Sequence, residues 1–253
     1  MGQDKSNTRV NDLLAVLENA EDGQTAPSVV PVFNGNKINL KNLAFNFYKG
    51  GQETGRTTEK LIEVIVVKAS AIQRSYYEKD FDENKPAKPF CWSDDTRTGR
   101  PSPNVSRQNV QSQTCFDCVW NVKGSGKGDS RGCRFHSRIG VMVADEGIVS
   151  DNTLYQIHLP ATSVFGDNSQ KMGLQAYVKH LTHHKTPLSA VITEIYFDRS
   201  SDIPKLLFKP KRAITENEFK LAVDVQKNPE SDAILAFALD VQSPFAATEG
   251  FTF

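Results

Sequence analysis

The sequence lacks several things, and each absence narrows what the chain can be. No apolar run approaches the roughly 20 residues that cross a bilayer as a helix, so a transmembrane helix is not expected. The first ten residues are polar, and no secretory leader is expected there. There is no excess of either charge, with 30 Lys and Arg against 30 Asp and Glu. Catalytic signatures are missing as well. Gly124-Ser-Gly-Lys127-Gly is phosphate-friendly in composition, but Asn121 and Gly128 stand where a P-loop needs Gly and Ser or Thr. Ser and His residues are scattered without a nucleophile pattern, and His158, His180, His183 and His184 suggest no common site. Glu63 and Lys68 read as the solvent face of a strand rather than as nuclease groups. The expectation is a protein that is not an enzyme. Cysteine is scarce too: there are only four, and without a leader they read as reduced thiols or metal ligands rather than disulfides.

What is present is unevenly placed. Residues 85–138 hold ten basic side chains against Asp94, Asp95, Asp117 and Asp129, a net of +6. From Pro229 onward the chain carries Glu230, Asp232, Asp240 and Glu249 with no Lys or Arg, a net of −4. A basic middle and an acidic end suggest a polyanion-binding surface and a tail it can attract.

Hydrophobic spacing supplies the elements. Val10, Leu13, Leu14 and Leu17 predict a short N-terminal helix, and Gly23, Pro27 and Pro31 mark a linker. From Phe33 the pattern turns to short strands, clearest over 61–69, 139–144, 154–159, 190–197 and 205–209. The last two are joined as a hairpin through Asp198 to Asp202. A helix capped by Ser169 should bury Leu174, Tyr177, Val178 and Leu181 and end at His183, His184 and Lys185. A second should start at the capping box Thr215-x-x-Glu218 and run to about Lys227. The fold class expected is mainly β (α+β): an OB-like antiparallel barrel with an inserted Cys₄ metal ribbon and one or two helices. The organisation is 1–31 as N-terminal helix and linker, 32–228 as core with the ribbon inserted at about 85–138, and 229–253 as C-terminal tail. No internal repeat is visible. Within the tail, Ala233 to Leu239 is apolar enough to pack, and Phe251 and Phe253 are aromatic anchors for a partner.

All four cysteines fall within 43 residues as Cys91-x23-Cys115-x2-Cys118-x14-Cys133. Cys-x2-Cys is the spacing of a zinc knuckle, and two further thiolates complete a closed tetrahedral site with no place for a catalytic water. The intervening chain is too polar to bury a core, so the metal would supply its folding energy. One zinc per chain is expected; an iron–sulfur cluster takes the same ligands. His136 is read as a bystander. Phe90, Trp92, Phe116, Trp120 and Phe135 interleave with the basic residues, the arrangement that lets bases stack while phosphates pair. Trp92, Phe116 and Trp120 are the candidate stacking residues. Arg97, Arg100, Arg107, Lys123, Lys127, Arg131 and Arg134 are the candidate phosphate contacts. Phe45, Phe47, Tyr48, Tyr76 and Tyr77 form a second aromatic set.

Cys91-Trp-Ser-Asp-Asp, Cys115-Phe-Asp-Cys118-Val-Trp-Asn, Gly124-Ser-Gly and Gly132-Cys133-Arg134 resemble a phage family. So do Leu159-Pro-Ala-Thr-Ser-Val-Phe-Gly, Val191-Ile-Thr-Glu-Ile-Tyr-Phe-Asp and Pro204-Lys-Leu-Leu-Phe-Lys-Pro. The chain resembles single-stranded DNA-binding proteins of short-tailed bacteriophages over about Phe90 to Arg212. That resemblance implies an OB-type barrel, a role in phage DNA replication or recombination, and the cytoplasm of an infected bacterial host. Partners implied are single-stranded DNA and phage replication proteins, with no membrane. Related proteins often end in a dense acidic run closed by an aromatic residue; this chain ends Glu249-Gly-Phe-Thr-Phe253, aromatic but weakly acidic. The alternative function is a zinc-ribbon transcription-associated protein docking on RNA polymerase or duplex DNA.

Overall fold

The chain is described here by a computed structural model, for residues 35–57, 59–78, 89–101, 111–112, 114–165, 171–201 and 203–235. The N-terminal helix and linker, Ser169, Arg107 and the tail aromatics lie outside these residues.

Two tight hairpins open the fold. Strands β1 (Asn36–Lys41) and β2 (Ala44–Lys49) turn through Asn42 and Leu43, at φ of 54° and 53°. Strand β3 (Gln52–Arg56) follows through Gly50 and Gly51, where positive φ at both positions is what a two-residue hairpin turn requires. Leu61–Ala69 is β4, and its burial shows why it sits centrally: Val64 and Val66 pack on one side, Ile65 and Val67 on the other. Three short strands come next, β5 (Gln73–Tyr76), β6 (Cys91–Ser93) and β7 (Arg100–Pro101). The longest strand is β8 (Cys133–Val143), followed by β9 (Leu154–Pro160), β10 (Val191–Phe197) and β11 (Leu206–Ala213).

All eleven strands join one sheet in the order β11-β10-β4-β8-β9-β1-β2-β3, with β5, β6 and β7 branching from β8. The fold is mainly β, its sheet curled into a half-barrel. Two features depart from the antiparallel barrel expected. The path ends at β3 and β11 without closing, and β1 pairs with β9 in parallel. Both rims resist further pairing: every residue of β3 is exposed, and Pro210 on β11 has no N–H to donate.

One side of the sheet holds the larger core, including Phe45, Ile139, Ile157, Ile195 and Phe208. Helix α2 (Leu174–His183) closes it, after the single turn α1 (Ala161–Val164). Leu174, Tyr177 and Leu181 make its buried stripe, while Val178 is partly exposed. The helix begins after Gly173, so a cap at Ser169 does not apply to it. The other side packs Ile65, Val67, Met142 and Ile192 against Ala222 and Val225 of α3 (Glu216–Lys227). Its capping box forms as read from Thr215-x-x-Glu218. Glu218 also takes two hydrogen bonds from the Arg212 guanidinium, at 2.7 and 2.8 Å, and one from the Val149 N–H at 3.1 Å. The short helix α4 (Glu230–Ala233) follows, and Ala233 and Ile234 are buried as their apolarity suggested.

Candidate metal centre and basic face

The cysteine segment grows out of the main sheet rather than hanging from it. Strand β8 is eleven residues long because it serves two partners: residues 139–143 pair with β4, and residues 133–136 pair with β5. Between those partners the chain breaks at Ser70, whose N–H donates to the Arg138 carbonyl at 2.8 Å and whose hydroxyl accepts the Arg138 N–H at 2.9 Å. The ribbon expected to be inserted over 85–138 therefore shares residues 133–138 with the sheet itself.

Register decides which side each residue faces. Tyr76 of β5 stands opposite Cys133 of β8 and opposite Cys91 of β6. Paired residues share a face, so Cys91, Tyr76 and Cys133 form one row across three strands. Arg74, Phe135 and Ser93 form the next row on that face. The other two cysteines arrive on a loop fastened by its polar residues. The Cys115 N–H donates to the Arg97 carbonyl at 2.7 Å, and Thr98 bridges Thr114. Asp95 organises the strand side of this contact, accepting from the N–H groups of Arg97 and Thr98 and from the Ser93 and Thr98 hydroxyls, at 2.7 to 2.8 Å. Burial opposes its ionisation, yet these donors hold the Asp95 carboxyl well below the usual carboxylate range. Asn121 ties the far side by donating to the Cys115 carbonyl at 2.7 Å.

The result is one cavity of about 20 Å³ lined by all four cysteines together with Tyr76, Trp92 and Trp120. The four thiols form no disulfide. Burial pushes the Cys133 thiol up to about 12, Arg74 pulling against it and the other three cysteines adding to it. Cys91 is raised by burial and by Cys115 and Cys118. Among the described residues no three His, Cys, Asp or Glu side chains form a ready coordination shell. The row geometry accounts for this: Cys91 and Cys133 are separated by two strand spacings, roughly 10 Å, with Tyr76 between them. The donor set nonetheless fits a thiophilic ion. A soft, closed site asks for four thiolates around a space of atomic size, and a buried cation stands beside them: Nε and Nη1 of Arg74 have no hydrogen-bond partner.

The opposite face carries positive charge. Trp92 pairs with Arg100 of β7 and with Ser75 of β5, and Ser75 pairs with Arg134 of β8. Arg100, Trp92, Ser75 and Arg134 thus form one cross-strand row, offset by one residue from the row of Cys91 and Cys133, and Trp92 also lines the cavity. The Arg100 guanidinium lies over the Trp92 ring at 5.2 Å and pairs with Asp94 at 3.1 Å. Farther along β8, His136 pairs with Gln73 and Arg138 with His158. The Arg138 guanidinium donates to the Gln73 side-chain oxygen, and the His136 and His158 rings lie 4.9 Å apart. Burial, with His158 and Arg138 beside it, drives the His136 pKa down to about 2, so this imidazole is neutral.

The other sequence-derived candidates separate in the structure. Arg97, Lys123, Lys127, Arg131 and Arg134 are exposed, with Lys123 bridging Asp129 at 3.1 Å. Phe116 is 89% exposed, and Val119 and Val122 near it are also exposed. Trp120 packs instead: its ring stacks on Tyr76 at 4.5 Å, and a side chain at Gly132 would meet it at 2.8 Å. Of the second aromatic set, Phe45 is wholly buried against Phe197 and Tyr76 is buried under Trp120, so neither offers a face to a base. Phe47 and Tyr48 are half-buried and Tyr77 is exposed. The Gly124–Gly128 stretch is an ordered turn rather than a loose loop. The N–H groups of Gly124 and Gly126 both donate to the Ser130 carbonyl at 3.0 Å, which removes them as a phosphate cradle. Arg74 went unread in the sequence because the short β5, Gln-Arg-Ser-Tyr, has no hydrophobic period to mark it as a strand.

Comparison of the chain with protein families, curated proteins and solved structures returns no match.

Proposed function

We propose that this chain is a non-enzymatic binder of single-stranded DNA whose interaction surface is held in shape by a structural metal ion. The observation that carries the reading is the cross-strand row of Arg100, Trp92 and Arg134, with Arg97, Lys127 and Arg131 exposed around it. Guanidinium groups beside an indole suit a strand whose phosphates pair while its bases stack, with little sequence preference. Phe116, projecting from the cysteine loop, supplies a second stacking surface. The half-open curled sheet is compatible with an OB-like scaffold, and the likeness of the cysteine block to phage single-stranded DNA-binding proteins points the same way.

Cys91, Cys115, Cys118 and Cys133 would hold the ion, zinc by the softness of four thiolates and by the closed site. Bound there, the metal supplies cross-linking between β6, β8 and the loop rather than chemistry. Asp95, Asn121 and the Trp120–Tyr76 stack hold the loop that carries Cys115 and Cys118 against the strands that carry Cys91 and Cys133.

A second reading is favoured by one feature. The loop tip exposes Phe116, Val119 and Val122 together, and an apolar tip on a metal ribbon suits protein docking, as on RNA polymerase. Gel shifts on single-stranded, duplex and RNA oligonucleotides at two salt concentrations decide between them. Preference for single strands that weakens with salt supports the first reading. No binding to any oligonucleotide at low salt removes it.

A further inference from the structure

The corner where β5, β6 and β8 meet contains a positive charge that no described group neutralises. Arg74 is only 8% exposed, and its Nε and Nη1 atoms are sealed from solvent without a hydrogen-bond partner. Its guanidinium lies on the Phe135 ring at 3.9 Å. That contact offsets a small part of the cost of removing a cation from water, and an unpaired buried charge is among the most destabilising features a fold can hold. The nearby carboxylates are engaged elsewhere. Asp94 pairs with Arg100, and Asp95 takes its bonds from Ser93, Arg97 and Thr98. A cation buried in this way needs an anion, and among the described residues no carboxylate pairs with it.

Register shows where that anion would be. Arg74 stands opposite Phe135 on β8 and Ser93 on β6, and one pleat along the same face Tyr76 stands opposite Cys133 and Cys91. Diagonal neighbours of this kind are roughly 7–8 Å apart at the backbone, within reach of an arginine side chain. A divalent ion held by four thiolates is a dianion. We infer that Arg74 is the buried counter-cation of the metal–thiolate centre, its guanidinium donating toward the sulfur atoms of Cys133 and Cys91 and so favouring the deprotonated, metal-bound state of the ligands. Arg74 is a positioning residue: it is not a ligand, and it acts through the charge of those that are. Its contact with the Phe135 ring, 3.9 Å from the centroid, limits where the guanidinium can sit. This inference rests on the metal reading above and adds to it a residue that sequence spacing does not reveal.

The test is a zinc titration against a chromophoric chelator, with the rate of thiol modification followed in parallel on the full chain. Wild-type protein should hold one zinc. Arg74→Met, similar in volume and uncharged, should bind zinc about 10- to 100-fold more weakly and expose its thiols faster, the range expected when a group supporting metal ligands is removed. Arg74→Lys keeps the charge and should lose less than the Met variant. Should Arg74→Met fail to fold by circular dichroism, Arg74→Gln takes its place in the comparison. Zinc binding by the uncharged variant as tight as wild type overturns the role of Arg74 while leaving the metal centre standing, and so does equal loss in the Lys variant. Wild-type protein with no zinc and four reactive thiols overturns the metal centre itself, and this inference with it.

Discussion

Glu218 shows how much one side chain can organise. It is almost wholly buried, yet it completes the cap of α3, grips Arg212 and fastens Val149 of the β8–β9 connection. Arg212 chiefly, with the N–H groups of Thr215 and Val149, lowers its pKa to about 2. A folded-state pKa below the unfolded one gives stability that is complete above the ordinary carboxylate pKa and lost as pH falls through the folded value. The expected contribution is on the order of 2 kcal/mol after allowing for solvent at the partly exposed Arg212, disappearing between roughly pH 5 and pH 2. Glu218→Gln should therefore lower stability at pH 7 and flatten the acid limb in urea denaturation. An acid limb as steep as wild type would show that other carboxylates dominate there. Tyr177 offers a smaller case. Its hydroxyl and that of Thr193 share a buried hydrogen bond of 2.7 Å, so Tyr177→Phe should cost about 1 kcal/mol by leaving Thr193 unpaired. Calorimetry showing no loss would mean that Thr193 finds another partner.

At the scale of elements, the β5-β6-β7 branch places Cys91 and Cys133 with the buried Arg74 on one face and the exposed Arg100 and Arg134 on the other, and each face has its own signature. Salt dependence reads the cationic face, because each phosphate contact contributes a slope of about −0.7 for single strands. Replacing Arg100 and Arg134 together with Ala should lower affinity for an oligonucleotide and reduce the slope by one to two contacts' worth. The Lys123 and Lys127 pair sits on the ordered turn, where Lys123 already faces Asp129, and its removal should change the slope less. If the lysine pair matters more than the arginine pair, the strand follows the loop and not the sheet. Phe116→Ala separates the two functional readings. Weaker binding of single strands is expected if Phe116 stacks on bases, whereas unchanged DNA affinity would mark the loop tip as a protein-docking surface.

For the whole molecule, the two cores lie on strands and helices outside the cysteine loop, on the two sides of β4 and β8. Metal removal should therefore act locally. Treatment with a strong chelator, or Cys118→Ser, is expected to change tryptophan fluorescence, since Trp120 stacks on Tyr76 inside the cavity wall. Far-UV circular dichroism should retain most of its β signal. Loss of the whole β signal on chelation would show that the sheet itself depends on the centre, through the shared strand β8.

The amino-acid sequence by itself determined the elements whose period is local. Strand β4 matches the run 61–69, β9 and β10 differ from their expected spans by one residue, and α3 begins at its capping box. Each is a string of apolar residues at the spacing of one backbone conformation, bounded by polar, Gly or Pro residues, and needs no knowledge of a partner. The clustering of four cysteines and ten basic residues was legible too, as composition. Tertiary structure alone decided what these residues face. Strands β5, β6 and β7 carry no hydrophobic alternation; they exist because β8 is long enough to pair beyond β4. The parallel contact of β1 with β9, the open rims and the burial of Arg74 beside the thiols depend on pairings between distant segments. Sequence period tells a strand how to alternate, but a partner's register tells it which alternate residues meet, and a shift of one residue would have exchanged the thiol face for the cationic one.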